Sequence, residues 1–581
     1  MLVYGDLERV EAGASLVAGI DVALSTCLRL PAGLKRHAAL VNAFLRAGQL
    51  AQGIADAEFE GNGADEDTDS QRACARLLTE LACTVLASWN NGFTGALPLP
   101  TDWPGKLAAL ATDMRLRIRE PEGHAFYALY PEGYGEAAMR SRLAADTVVI
   151  GIRSIGTGLA AIVAAALDAE PPVTVRPVGH PFKRGLRVGP QLAERLLSSP
   201  DACYAVVDEG PGLSGSSFAS VAYWLTGHGV NRRRIHFFPS HGGGCGIMAS
   251  QTTRENWERS PRHVLGLEDL LMGAVDPHHR LETWIASCTG PLLGSLRDIG
   301  GGKWREFRFT SRADRPPVDG LHERRKYLVR AHSGTWCARF AGIGELGFRK
   351  LRTARVLAKA GFCPPVAGVC HGFLVERWID GKSVDAGAFS RPQLVERIGR
   401  YLGFRAAHLE APAAGADPER LFAMALANTG EELGAEEASA LKSMLGPAER
   451  LQGQLMPVNT DNRLHRWEWL VTPDGRLVKT DALDHSTSHD LVGPQDIAWD
   501  VAGAGVEFDL SPDERGKLAA VVSLAAGRSV RAELVEALQP CYLAFQIGLW
   551  RRASESGEAA DRNLALAMVR TYSARLSRML R

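Results

Sequence analysis

Residues 204–220 read Tyr-Ala-Val-Val-Asp-Glu-Gly-Pro-Gly-Leu-Ser-Gly-Ser-Ser-Phe-Ala-Ser, and the fold of the first half of the chain turns on them. The apolar run 204–207 has the length of a buried strand and ends in two acids, Asp208 and Glu209. Small residues fill 210–217. Phe218, Ala219, Val221, Ala222, Trp224 and Leu225 then recur at helical spacing. Strand, acidic pair, glycine–serine loop and helix start make a phosphate cradle. Amides and hydroxyls at a helix N-terminus favour an anion, and the acids stand where sugar hydroxyls or a metal would come. The competing reading is a strand–helix turn whose small residues serve packing alone.

Outward from this stretch, strands are expected at 126–130, 147–152, 171–176 and 234–238. Helices are expected at 134–143, 159–167 and 191–197, with a basic loop at 179–187. Such alternation predicts an α/β unit with a mostly parallel sheet, whose ligands gather beyond the carboxyl ends of the strands, at loops 151–158 and 208–217. Residues 7–60 and 70–87 read as helical around an acidic, glycine-containing break. The expected division is an N-terminal helical region (1–118), the α/β unit (119–245), a connecting segment (246–320) and a second, α+β unit (321–581). In the last, 326–330 and 336–340 read as paired strands, 348–358 as an apolar helical stripe and 372–379 as a strand. A hairpin turns at Pro473-Asp474-Gly475.

Residues 120–245 resemble type I phosphoribosyltransferases in two loops, 151–158 and 208–217, placed in the family's order. The resemblance implies a parallel-sheet phosphoribosyltransferase-like domain that binds magnesium and phosphoribosyl pyrophosphate and transfers ribose 5-phosphate to a nitrogenous acceptor. Ser214, Gly215, Ser216 and Ser217 would take the 5′-phosphate, and Asp208 and Glu209 would approach the ribose hydroxyls. The loop bearing Arg153, Ser154, Gly156 and Thr157, with Arg176, Lys183 and Arg184, would hold pyrophosphate. Charge built on the ribose and on the leaving group explains these residue types. One departure is a lengthened turn at Gly210-Pro211-Gly212.

The C-terminal unit resembles aminoglycoside phosphotransferase-like small-molecule kinases, which implies a two-lobed domain and ATP as a further ligand. Asn459-Thr460-Asp461, the hairpin, Lys479-Thr480-Asp481 and Gly493-Pro494-Gln495-Asp496 follow the family's order of catalytic loop, metal aspartate and C-lobe aspartate. By that resemblance Asp461 would orient the acceptor hydroxyl, Asp481 would hold magnesium, and Arg339 and Glu376 would serve the nucleotide. The departures are Asn459 for a common His, Arg466 for a metal-binding Asn, and Arg339 for Lys, which keeps the charge but changes its geometry. A non-catalytic nucleotide sensor, or a kinase beside a degenerate phosphoribosyltransferase domain, remains an alternative.

Other features read as structural. Asp481, Asp484, His485, His489 and Asp490 suggest either a metal site or a polar surface loop. His236 and His241 suit structural roles, as do Cys363 and Cys370. Trp467, Trp469 and Trp499 read as core aromatics. With 66 basic and 66 acidic residues the formal charge is zero, which argues against nucleic-acid partners and for small-molecule substrates. No apolar run reaches membrane-spanning length, and Asp6, Glu8 and Glu11 precede any apolar run, unlike a signal peptide. Ten cysteines without a CxxC pair fit reduced thiols and a cytoplasmic setting, with oligomerisation left open.

Overall fold

The computed structural model describes every residue except 6, 200, 247 and 321, so Asp6 and the boundary expected at 321 lie outside the described residues. Strands Val148–Ile152, Val173–Val175, Tyr204–Val207 and Ile235–Phe238 form a four-stranded, all-parallel sheet. In space the second strand lies outside the first, and the third and fourth follow on its other side. The direction of winding therefore reverses between Val148–Ile152 and Tyr204–Val207, which opens a crevice at their carboxyl ends.

Side-chain alternation along these strands feeds two cores. Ile150, Ile152, Tyr204 and Val206 pack with Leu192, Phe218 and Trp257 on one face. Val149, Ala205 and Val207 face the helix Gly156–Leu167 and the N-terminal helices Leu34–Asn62 and Asp69–Asn90. That second core continues into Tyr327, Val329, Ala338 and Phe340 of the next sheet, so the helical region is a shared wall.

The next sheet is antiparallel. Its order is Val366–Cys370, Phe373–Arg377, Gly334–Phe340, Lys326–Ala331 and Arg297–Asp298, with helix Glu345–Lys359 alongside. Below it a helical body gathers around Tyr401, Trp469, Trp499 and Tyr542, together with the expected hairpin Trp469–Val471/Leu477–Lys479. The polypeptide start reaches this body as well. Leu2 and Asn428 exchange two hydrogen bonds, and Gly5 N donates to the His489 carbonyl at 2.8 Å.

Several expectations change. Residues 126–130 are not a strand: Glu122–Phe126 is a short helix, and a turn through Ala128 folds Leu129 back onto Gly123. Phe126 and Tyr130 are buried as core around that turn while Tyr127 is exposed, a composition that mimics a strand's. Residues 7–60 are not continuously helical, because Glu8–Ala12 pairs antiparallel with the distant Arg115–Arg119. The basic loop is a small hairpin, Val178–His180 with Lys183–Gly185. Within 246–320, the strand Arg297–Asp298 joins the antiparallel sheet and helix Leu281–Thr289 enters the second core.

Candidate functional sites

Two clefts lie at the ends of the two sheets. The first, about 1110 Å³, sits over the reversal point of the parallel sheet. Ser154, Ile155, Asp208, Glu209, Gly210 and Arg184 line it. Its two loops touch closely: a Cβ on Gly156 would lie 2.5 Å from the Val207 carbonyl, so this position requires glycine. Gly215 adopts φ +64° and starts the helix Ser216–Gly227.

The acids face this cleft. Burial pushes the Asp208 carboxyl up to about 7, against the pull of Arg184 and Arg176. Burial, with the charges of Glu122 and Asp208, pushes Glu209 up to about 8, although it accepts the Gly123 amide at 2.9 Å.

Arg153 and Arg176 border it, but their guanidiniums are engaged behind it. Arg153 is wholly enclosed, with Nε 2.9 Å from Asp56 and a terminal nitrogen bonded to Asp65. Arg176 bonds Asp56 through two nitrogens and donates to the Arg153 carbonyl at 2.6 Å. Both aspartates come from the N-terminal helical region, and this explains why guanidiniums expected to hold pyrophosphate are structural here. Thr157 is buried in the helix behind the loop. Ser214 and Ser216 donate to the Pro181 carbonyl at 3.0 and 2.7 Å, so the small hairpin caps the serine loop. Arg184 donates to Ser217 at 2.9 Å, and Lys183 is exposed on the same hairpin.

The second cleft lies between the antiparallel sheet and the helical body, lined by Lys326, Arg339, Glu376, Trp378, Asp481 and His485. Asp481 sits at φ +54° with its carboxylate 33% exposed. Burial alone would raise this carboxyl; Lys326, His485 and Arg339 outweigh it and hold the group well below the usual range. Arg339 stands 3.8 Å from Asp481, 3.2 Å from Glu376, and bonds Asp484, which also holds Lys350.

Asp461 does not line this cleft. Its side chain is 0% exposed, bonded by the Tyr401 hydroxyl and faced by Lys479 at 3.3 Å, His485 at 3.5 Å and Arg405 at 3.7 Å. Burial would raise it, and Lys479, His485 and Arg405 hold it low instead. His485 bridges Asp461 to Asp481, 3.7 Å away, and those two acids lift its pKa to about 9 against burial. Asp461, Glu468 and His485 are near enough to share an ion. Lys479, 2.6 Å from Glu468, already brings the positive charge there.

Sequence reasoning missed three features. Asp500 accepts the amides of Asp461 and Asn462 at 2.8 and 2.9 Å and so clamps the loop. Asp496 caps its own helix start through Ala498 and accepts the Met456 amide. Arg466 points outward to Asp385. The loop 484–490 is buried, not a polar surface. Only the last carried a sequence signal, since Ala482, Leu483, Leu491 and Val492 flank it. The two clefts also share part of a wall: Tyr4, His322 and His489 line both.

No protein-family model matches the sequence, and no curated protein matches it. Among solved structures, the chain is similar to a choline kinase from Streptococcus pneumoniae, at 15% identity and a TM-score of 0.32 over 50% of this chain and 96% of that one. It is also similar to a macrolide 2′-phosphotransferase from Brachybacterium faecium, at 17% identity and a TM-score of 0.31 over 49% and 95% of the two chains.

Proposed function

We propose that the chain is a phosphotransferase that binds a nucleoside triphosphate with magnesium in the Asp481 cleft and passes its terminal phosphate to a small-molecule hydroxyl. The observation that carries this reading is Asp481 itself: a carboxylate kept ionised by surrounding cations and still open to the cleft. A single hard oxygen donor suits magnesium, which is commonly held by one or two carboxylates and completed by substrate phosphates. Asp484 is saturated by Arg339 and Lys350, so Asp481 is the donor left for the ion. Bound there, magnesium would neutralise charge on the phosphates.

The chain's own groups supply position and charge. Arg339, fixed by Glu376 and Asp484, and Lys326 present cations to the phosphates. His485, protonated at neutral pH, lies beside Asp481 as a further donor. Asp461 touches no part of the cleft and serves as a positioning residue behind His485. The acceptor oxygen bonds the terminal phosphorus as the bond to the nucleoside diphosphate breaks, and its proton is released. A loose transition state asks little of a base, which accommodates an enclosed Asp461. The cleft measures about 200 Å³, below the usual span of ligand pockets. Calorimetric titration with ATP and magnesium, followed by phosphate transfer to an alcohol panel, tests the reading. Absence of binding sinks it, and binding without transfer makes the chain a nucleotide sensor.

A second reading concerns the parallel-sheet cleft, favoured by two touching loops at the winding reversal. We infer that it binds phosphoribosyl pyrophosphate with magnesium and transfers ribose 5-phosphate to a nitrogenous acceptor. With the Arg153 and Arg176 guanidiniums engaged elsewhere, Ser154, the loop amides and Arg184 are the groups left for the phosphates. Release of pyrophosphate across a panel of bases tests it.

A further inference from the structure

The wall common to the two clefts is thin. Tyr4, His322 and His489 form it, with ring centroids 4.9 Å apart for Tyr4–His322 and Tyr4–His489, and 5.7 Å for His322–His489. One hydrogen bond, Tyr4 to His322 at 3.3 Å, crosses it, and Asp319 anchors His322 at 2.8 Å. Phe126 and Tyr127 flank His489 at 5.3 and 6.2 Å. Among the described residues, Tyr4, His322 and His489 line both clefts, with Tyr4–His322 tilted and the other two pairs edge to face.

Its position selects one end of the second cleft. His489 lies four residues beyond His485, which bridges Asp461 and Asp481, so the wall and the phosphate-transfer residues share one buried loop. Charge is matched across it. Arg552, 5.7 Å from the Tyr4 ring, lines the first cleft, and Arg463, 2.5 Å from Asp490, lines the second. A guanidinium on either side suits an anionic traveller.

Resting on both readings above, we propose that the two clefts act on successive forms of one molecule. The ribose 5-phosphate adduct formed over the parallel sheet is the hydroxyl acceptor of the Asp481 cleft, and it crosses the Tyr4/His322/His489 wall without release. In the first step the acceptor nitrogen bonds C1 of phosphoribosyl pyrophosphate, the C1–oxygen bond to pyrophosphate breaks, and the nitrogen's proton is lost. In the second, a ribose hydroxyl of that adduct bonds the terminal phosphorus of ATP, ADP leaves, and the hydroxyl proton is released. The adduct keeps its free ribose hydroxyls, so it needs no further activation.

The test uses the full chain with two probes, phosphoribosyl pyrophosphate and ATP, each with magnesium. Calorimetry is expected to show that each ligand changes the other's dissociation constant by at least about fivefold, and by the same factor in both directions. In Tyr4→Ala/His489→Ala, and in the milder Tyr4→Phe/His489→Gln, that factor should move toward one. Radiolabelled ATP should phosphorylate ribose 5-phosphate at least about tenfold faster than ribose. Both probes binding independently, or equal rates on the two sugars, overturns the shared route while leaving the separate sites intact. Failure of either probe to bind overturns the underlying reading and the route with it.

Discussion

The two clefts handle charge in opposite ways. Over the parallel sheet two of the cations are turned away: Arg153 and Arg176 are held by Asp56 and Asp65, and the cleft keeps Arg184 beside two carboxyls that burial pushes up to about 7 and about 8. Under the antiparallel sheet an acid is turned away. Asp461 is enclosed by Lys479, Arg405 and Tyr401, and the cleft keeps an ionised Asp481 among cations. Asp208 with Glu209 and Asp481 each follow a short strand closely in sequence. The difference teaches that a motif supplies candidate charges, while partners from distant segments decide which of them meets the ligand.

The largest expected effect comes from breaking the arrangement behind the first cleft. Asp65→Ala leaves Arg153 buried with half its partners and should cost about 3–5 kcal/mol in denaturant unfolding. A loss below about 1 kcal/mol would mean that Arg153 can swing into the cleft, and the contrast would fail. Next, Asp481→Asn should lower ATP-dependent transfer at least about a hundredfold, worth about 2.7 kcal/mol, with far-ultraviolet circular dichroism unchanged. Unaltered transfer would remove Asp481 from the site.

The pH dependence sharpens the comparison further. Asp208 and Glu209 have folded pKa values above their ordinary ones, so their contribution to stability is full at acid pH and is lost as pH rises through about 7 to 8. Pyrophosphate affinity, followed by calorimetry, should fall by about tenfold between pH 6 and 9 as two like charges appear beside the anion. Asp208→Asn/Glu209→Gln should flatten that profile and raise the melting temperature at pH 8.5. A wild-type profile that rises with pH would reverse the assignment. The smallest effect is Ser217→Ala, which removes one exposed hydrogen bond from Arg184 and should shift stability by less than about 0.5 kcal/mol. A larger shift in thermal unfolding would mean that the hairpin closes the serine loop more firmly than its contacts imply.

Much of the parallel sheet was legible because short continuous apolar runs and the loop chemistry of 151–158 and 208–217 are local signals. The strands at 148, 173, 204 and 235 and their helices lie close to expectation. The segment 126–130 misled because buried aromatics around a turn have the composition of a strand. Arg297–Asp298 was illegible for another reason: two residues are too few to show a period, and only pairing with Lys326–Ala331 makes them a strand. In the second cleft, Asp481 and Arg339 were legible as candidates through motif order. The roles of Asp500 and Lys479 were not, since both act through contacts across folded segments.

By itself the sequence determined most of the longer elements, because apolar patterning and turn residues act over a few positions. It also fixed the inventory of acids, arginines and serines at the loop ends. The tertiary structure alone decided that Arg153 and Arg176 turn inward, that Asp461 stands behind His485, and that Tyr4 separates two clefts. Each of those depends on groups scores to hundreds of residues apart: Asp56 with Arg176, Tyr401 with Asp461, Tyr4 with His322 and His489. Electrostatic and packing energies depend on distance in space, and only the folded chain sets that distance.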